Sequence, residues 1–129
     1  MSFQLVQTPG TAPAGGRPYS PALRVADWLF VAGQAPVDGD GNVVGRGDAR
    51  TQWRQCLENI KSIVEEAGGS MRNVVRIGIF VTDMRYHLAF SEIRREFFDE
   101  PYPTATVVGV TSLAGEDWLI EIEATAYLG

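Results

Sequence analysis

One stretch near the end of the chain constrains the fold most, because apolar and polar side chains alternate along it. Between Trp118 and Tyr127, apolar residues occupy every second position, and Glu121 and Glu123 lie between them. Period-two alternation over this length predicts a β-strand with one face in the core. The two carboxylates then lie on the opposite face, which is either a solvated sheet surface or part of a functional site.

Two helices and four further strands are predicted in the rest of the chain. Asp48 or Thr51 caps a first helix that runs to about Ala67, where apolar residues at helical spacing give way to Gly-Gly. A second helix is expected from about Met84 to Phe98, before two prolines that cannot continue it. The other strands are predicted at residues 23–25, 28–32, 74–81 and 104–110.

This order of elements predicts an α+β fold, a single domain over residues 1–129 with both helices on one face of one sheet. The strand at 74–81 is largely apolar on both of its faces, although Arg76 and Gly78 interrupt it. Because the helices cover only one face of the sheet, the other face needs a different cover. We therefore expect further copies of the chain to bury it.

Charge and composition argue against several classes of function. The chain has 129 residues and a formal net charge of −5 without a basic cluster, which argues against nucleic acid as a partner. A single cysteine and a single histidine provide neither a disulfide nor the usual ligands of a metal site, so we expect no metal. The N-terminus does not resemble a signal peptide, and no apolar run has the length of a membrane helix. A cytoplasmic protein without a membrane partner is expected.

Few residues suggest chemistry on their own. Cys56 and His87 are predicted to be structural, since the sequence places no activating partner beside either of them. The turn at residues 38–42 resembles the start of a calcium loop but lacks its closing glutamate. The remaining polar residues suit binding of a small polar ligand and activation of water by one carboxylate. They are Tyr19, Ser20, Gly33, Gln34, Thr104, Thr106 and Glu121.

Several short blocks, taken together, resemble the RidA/YjgF family. Each block is weak alone, but they follow the family's order and spacing over almost the whole chain. The blocks are Pro18-Tyr19-Ser20-Pro21-Ala22, Leu29-Phe30-Val31-Ala32-Gly33-Gln34, Leu57-Glu58-Asn59-Ile60, Phe80-Val81-Thr82-Asp83-Met84, Phe97-Phe98, Pro103 and Ile120-Glu121-Ile122-Glu123-Ala124.

The resemblance implies a chorismate-mutase-like (ferredoxin-like) α+β fold with a mixed sheet. It also implies a homotrimer whose sheets face inward and whose ligand clefts lie at subunit interfaces. Family members with the full site hydrolyse reactive enamines and imines, such as 2-aminoacrylate, to a keto acid and ammonia without a metal or organic cofactor. In that site a glutamate matching Glu121 positions water, and a tyrosine matching Tyr19 shapes the cleft. Backbone groups at the positions of Ala32, Gly33, Thr106 and Val107 line it.

The chain departs from the family pattern just after Pro103. The resemblance implies a substrate-binding arginine at the position of Ala105, and a cysteine and an asparagine are common at the positions of Val107 and Ser91. Loss of one partner of a buried charged pair costs about 2–5 kcal/mol, so imines derived from amino acids are expected to be poor substrates. Arg17, in the first loop, is a candidate substitute for the missing arginine.

Two functions of different classes remain open. In the first, the protein deaminates another enamine or imine, such as a bulkier or uncharged one, with Glu121 orienting water. A deaminase of the 2-aminomuconate kind is the nearest example. In the second, it is a trimeric binding or regulatory protein for a small metabolite that has lost the chemistry, and Glu121 could become Gln with little effect on ligand affinity. A ribonuclease, a label also used in the family, is least favoured because the net charge is −5.

Overall fold

Six strands and two α-helices alternate along residues 2–129, the part of the chain that this computed structural model describes. The helices are α1 (Ala49–Glu66) and α2 (Phe90–Phe97), and short 3-10 segments at Met71–Asn73 and Met84–Ala89 precede β4 and α2. The strands are β1 (Gln4–Leu5), β2 (Ala22–Val25), β3 (Trp28–Gln34), β4 (Val74–Val81), β5 (Thr104–Gly109) and β6 (Ile120–Tyr127).

Helix α1 begins and ends where the sequence predicts. The Asp48 side chain accepts hydrogen bonds from the Thr51 backbone N–H at 3.2 Å and from the Thr51 hydroxyl at 2.7 Å, which caps the first turn. After the last turn, Gly68 adopts a φ of +92°, a conformation that glycine reaches without strain. The predicted apolar stripe is fully buried against the sheet and consists of Trp53, Leu57, Ile60 and Val64.

The strands form one mixed sheet in the order β1-β2-β3-β6-β4-β5, in which only β4 and β5 run parallel to each other. Strand β6 pairs with β3 on one side and with β4 on the other. Its alternating pattern is confirmed, because every second side chain is buried on the helical side: Ile120, Ile122, Ala124 and Ala126. Both helices lie on this side, so the predicted α+β arrangement is confirmed.

The second helix differs from the prediction, because its first half is a 3-10 segment and only Phe90–Phe97 is α-helical. In a continuous α-helix, the Tyr86 carbonyl would accept from the Phe90 N–H. Here the indole N–H of Trp53 donates to that carbonyl at 2.8 Å, and the Phe90 N–H donates to the backbone carbonyl of His87 instead. The rings of Trp53 and Phe90 then stack with centroids 4.8 Å apart, which fixes α2 against α1.

Two strand boundaries differ from the sequence expectations by two residues each, and one additional strand is present. Strand β6 begins at Ile120 rather than Trp118, because the Trp118 N–H closes a turn by donating to the Gly115 carbonyl at 3.2 Å. Strand β3 extends to Gln34, beyond the expected end at Ala32. Strand β1 was not predicted, since both of its residues are exposed and it consists of a two-residue pairing with β2.

The sheet face away from the helices carries exposed apolar side chains. Trp28 and Phe30 of β3 and Tyr127 of β6 are 42%, 50% and 42% exposed, and Val108 of β5 is 40% exposed. The rings of Trp28 and Tyr127 pack together with centroids 4.9 Å apart. The face of the sheet away from the helices is therefore partly apolar, as the sequence predicts.

Candidate functional site

The carboxylate of Glu121 lies over the backbone of Gly33, on the open face of the sheet. A Cβ atom added at Gly33 would lie 2.1 Å from Glu121 Oε1, far inside van der Waals contact. The pairing of β3 with β6 shifts register between Val31 and Gln34, so Gly33 lies in the irregular part of β3. Only glycine therefore leaves room for the Glu121 side chain in its present position.

Glu121 is half-buried and forms no ion pair with any group in residues 2–129. Burial raises the pKa of this carboxyl above its ordinary value, and the negative charge of Glu123 raises it further. Glu123, two residues along the same face, instead forms an ion pair with Arg76 at 3.4 Å. Of these two neighbouring carboxylates, only Glu121 lacks a cationic partner among residues 2–129.

A cavity of about 520 Å³ opens beside Glu121, and we call it the Glu121 cavity. Its walls come from residues of the loop 12–21, from 32–37 with Gly41, and from Ala114, Trp118 and Glu121. It brings together six of the residues that the sequence singled out as site candidates: Arg17, Tyr19, Ala32, Gly33, Gln34 and Glu121. These residues lie far apart in the chain and meet because β3 and β6 are neighbours.

Two buried amide side chains of α1 hold the segments around the Glu121 cavity. Asn59 donates to the carbonyls of Ala35 and Val37 at 3.1 and 2.9 Å, which fixes the turn after β3. Gln52 donates to the carbonyls of Gly45 and Asp117 at 3.0 and 2.9 Å and accepts from the Leu119 N–H at 2.8 Å. Neither amide was singled out from the sequence as a support for the site. The available signal was two polar residues seven apart, flanking the apolar stripe of α1.

The other six predicted site residues do not line the Glu121 cavity. Among them, Ser20 lies just before β2, and Thr104 is the first residue of the edge strand β5. Ala105, Thr106 and Val107 belong to the edge strand β5, and strand β4 separates β5 from β6. Two strand spacings amount to about 10 Å, so these residues do not reach the Glu121 cavity of their own subunit. Ser91 is exposed in the first turn of α2 and does not line the cavity either.

The remaining reactive side chains have structural surroundings. Cys56 is fully buried in the core, where burial raises the pKa of its thiol well above the ordinary value. His87 is exposed on the 3-10 segment before α2. Within residues 2–129, no cluster of three or more His, Cys, Asp or Glu side chains has an arrangement that could hold a metal ion. None of the helices in this range combines the length and apolar character needed to cross a membrane.

Comparison with known proteins identifies relatives of this chain. The family model described as Endoribonuclease L-PSP matches residues 9–128. A RutC family protein of Pyrococcus abyssi is 40% identical over 116 residues, which cover 90% of this chain and 91% of that protein. The 3-aminoacrylate deaminase RutC of Acinetobacter baylyi is 36% identical over 128 residues, or 99% of this chain and 100% of that one.

The same relationship holds for the three-dimensional structure. The crystal structure of RidA from an Antarctic Psychrobacter species superposes with a TM-score of 0.87 at 33% identity, covering 96% of this chain and 98% of that one. The chain therefore belongs to the RidA/YjgF family, which the L-PSP family model describes.

Proposed function

We propose that this protein is a hydrolase that converts a small reactive enamine or imine to the corresponding carbonyl compound and ammonia. The observation that carries the proposal is the half-buried carboxylate of Glu121, which has no ion-pair partner among residues 2–129 and faces a cavity of about 520 Å³. A relative that is 36% identical over 99% of this chain is named a 3-aminoacrylate deaminase, which supports the same class of reaction. The net charge of −5 argues against RNA as the substrate.

The reaction needs one water molecule and a group that moves protons. Protonation of the enamine carbon gives an iminium ion, and water then adds to the carbon that bears nitrogen. The Glu121 carboxylate accepts a proton from this water and passes it to the nitrogen of the carbinolamine. The C–N bond then breaks and ammonia leaves, while the hydroxyl proton returns to solvent in exchange for the proton that solvent gave the enamine carbon. Because the pKa of Glu121 is raised, it lies closer to neutral pH than that of an ordinary glutamate. The carboxylate is therefore better suited to accept and return this proton.

The proposal includes a homotrimer in which the open sheet faces are turned toward each other. The exposed apolar side chains of that face are the support, since an isolated subunit would leave them in water. An interface between subunits could also bring Ala105, Thr106, Val107 and Ser91 of a neighbouring copy toward the Glu121 cavity. The ligand cleft would then be complete only in the assembly.

The first test measures ammonia release from freshly generated 2-aminoacrylate by the wild-type protein, the Glu121→Gln variant and the Ala105→Arg variant. We expect Glu121→Gln to lose activity by about a hundredfold or more, because the amide cannot accept the proton of water. If the Ala105→Arg variant is active and the wild-type protein is inactive, enamines other than 2-aminoacrylate are the substrates to test next on the wild-type protein. Wild-type activity that the Glu121→Gln variant retains in full contradicts the proposed role of Glu121.

The pH dependence of turnover gives a second test. The base form of Glu121 is the active one, so kcat/KM is expected to fall as the pH is lowered through the raised pKa of this group. The fall should occur at a higher pH than for an ordinary glutamate.

A control for folding is the melting temperature of Glu121→Gln. A raised folded-state pKa means that ionised Glu121 disfavours folding above that pKa, and a neutral amide is therefore expected to raise the melting temperature at neutral pH.

A non-catalytic, ligand-binding trimer is the second candidate function. It is favoured by Ala105, which occupies the position where the family resemblance implies a substrate-binding arginine. The Glu121→Gln variant separates the two functions. Under the binding function it keeps the ligand affinity of the wild-type protein, and the wild-type protein releases no ammonia from any enamine tested.

A further inference from the structure

The three tryptophans of the chain have different surroundings. Trp53 stacks on the ring of Phe90, and Trp28 packs against the ring of Tyr127. Trp118 has no aromatic or cationic partner within residues 2–129. It is also the one tryptophan that lines the Glu121 cavity. The cavity therefore has an aromatic wall whose ring is not paired with any other ring of the described residues.

A turn before β6 sets the direction of the Trp118 side chain. The alternation along the strand predicts that Trp118 shares the core side of the sheet with Ile120. Instead, the backbone N–H of Trp118 donates to the Gly115 carbonyl at 3.2 Å, and the strand begins only at Ile120. The next side chain, Leu119, packs against the core, whereas Trp118 is not part of the core that residues 2–129 form. The turn therefore places the indole at the wall of the Glu121 cavity.

The indole ring of Trp118 lies directly on the backbone of Gly115. A Cβ atom added at Gly115 would lie 2.1 Å from Cε2 of the indole and 2.3 Å from Cδ2, so only glycine leaves room for the ring in this position. One face of the ring is therefore covered by the chain, and the half-buried side chain borders the cavity with the rest of its surface. A ring that is already held in place loses little conformational entropy when a ligand packs on it.

The size of the Glu121 cavity and the rest of its wall fit a substrate with a flat apolar part. At about 520 Å³, the cavity lies within the range of pockets that hold drug-sized molecules, and a three-carbon enamine would fill a small part of it. Pro21, Val37 and Ala114 add apolar surface to the wall. Aromatic rings attract each other in stacked and edge-to-face arrangements, beyond the gain from burying apolar area. A planar group of the substrate can use the indole in this way, whereas a puckered saturated ring cannot.

We propose that Trp118 binds a planar aromatic or conjugated group of the substrate by stacking, so that the substrates of this protein are enamines or imines that carry such a group. This inference rests on the proposed function and names its substrate class. Trp118 is then a specificity-determining residue, because it contacts the part of the molecule that does not react. Glu121 acts at the carbon that bears nitrogen.

The test compares binding of two neutral ligands by NMR titration, benzamide and cyclohexanecarboxamide, which share an amide and differ in whether the ring is flat. The proteins are the wild type, Trp118→Leu, Trp118→Phe and the control Phe97→Leu, which removes a half-buried ring that does not line the cavity. We expect the wild type and Phe97→Leu to bind benzamide about fivefold or more tightly than the saturated amide. Trp118→Leu should lose this preference, and Trp118→Phe should keep part of it. Equal preferences in the wild type and Trp118→Leu, or no binding of benzamide by the wild type, overturn the inference.

The indole N–H resonances in the same titration report where benzamide binds. The chain has three of them, and Trp118→Phe assigns the one that belongs to Trp118. Benzamide is expected to shift this resonance, because a stacked ring changes the magnetic field at the indole. The resonance of Trp53, which is fully buried in the core, is expected to stay in place. Binding of benzamide that leaves the Trp118 resonance unshifted contradicts the proposed contact.

Steady-state kinetics distinguish this inference from the proposed function. The substrates are the imines that an amino acid oxidase forms from phenylalanine and from cyclohexylalanine, which differ only in the ring. If both proposals hold, Trp118→Leu raises KM for the phenyl imine by about fivefold or more and leaves kcat within about threefold, because the indole binds a non-reacting part of the substrate. Turnover of both imines that Trp118→Leu leaves unchanged overturns the role of Trp118 while the proposed function stands. A wild-type protein that prefers benzamide through Trp118 but accelerates ammonia release from no imine or enamine upholds the aromatic site and overturns the proposed function.

Discussion

Glu121 and Glu123 project from the same face of β6, yet their surroundings differ in charge. Glu123 forms an ion pair with Arg76, whereas Glu121 is half-buried, has no cationic partner in the described part of the chain and has a raised pKa. Each carboxylate also lies over a glycine of a neighbouring strand, Glu121 over Gly33 and Glu123 over Gly78. The strand pattern alone cannot separate the two glutamates, because the difference between them comes from the neighbouring strands.

Alanine substitution of Gly33 and Gly78 tests whether turnover depends on the position of the Glu121 carboxylate and not on that of Glu123. An alanine at position 33 would place its Cβ 2.1 Å from Glu121 Oε1, so the carboxylate must move out of its position. We expect Gly33→Ala to lower kcat/KM by about tenfold to a hundredfold, since small displacements of a reacting group cost this much. The assay is ammonia release, with circular dichroism as the check on folding.

Gly78→Ala is the matched control. Its Cβ would lie 2.8 Å from Glu123 Oε1, so it displaces the other glutamate of the same face by the same kind of contact. Glu123 does not line the Glu121 cavity, and activity within about threefold of the wild type is expected. Equal losses in the two variants would show that general damage to the sheet, and not the position of Glu121, controls turnover.

At the scale of elements, α1 does more than cover the sheet. Its apolar stripe fills the core, while Gln52 and Asn59 hold the segments on either side of the Glu121 cavity by hydrogen bonds to backbone groups. Trp53 additionally changes the start of the second helix through its bond to the Tyr86 carbonyl. The helix therefore positions three loops through three polar side-chain groups that are themselves buried.

Gln52→Met tests the contribution of one of these groups. Methionine has a similar shape but leaves the Gly45 and Asp117 carbonyls and the Leu119 N–H without their partner. The free energy of unfolding is expected to fall by about 2–4 kcal/mol, measured by urea denaturation, because unpaired buried polar groups are costly. Glu58→Met, at an exposed position of the same helix, is the control and is expected to change stability by less than about 0.5 kcal/mol. A loss of unfolding free energy as small as that of Glu58→Met would mean that water molecules replace the hydrogen bonds made by Gln52.

At the scale of the whole molecule, the two faces of the sheet are covered differently. The helices bury most of one face, while the other presents Trp28, Phe30, Tyr127 and Val108 to solvent. These side chains come from three strands, β3, β5 and β6, on the same face of the sheet as Glu121. An assembly that buries this face would link the oligomeric state to the site.

Phe30→Arg tests the proposed trimer. Phe30 is 50% exposed in the subunit, so an arginine is expected to leave the fold intact but to oppose burial of the open face. Light scattering at micromolar concentration should report a trimer for the wild type and a smaller species for the variant. Leu88→Arg is the control, because Leu88 is 79% exposed on the 3-10 segment, on the helical side, and should not affect assembly. A monomeric wild-type protein contradicts the trimer directly.

Local patterns in the sequence determined most of the secondary structure. The alternation on β6, the spacing of Trp53, Leu57 and Ile60 on α1, and the Asp48 cap each depend on residues within a few positions of one another. The open face of Glu121 follows from the same alternation. These features are predictable because each is decided by which side of a strand or helix a side chain occupies.

The tertiary structure alone decided which distant residues meet. The strand order put Gly33 beneath Glu121 and moved Ala105 to the far edge of the sheet, and the loop path brought Arg17 to the same cavity. The break in the second helix has the same origin, because Trp53 lies 33 positions before the carbonyl that it binds. Contacts of this kind depend on how whole elements pack, and no local periodicity encodes them.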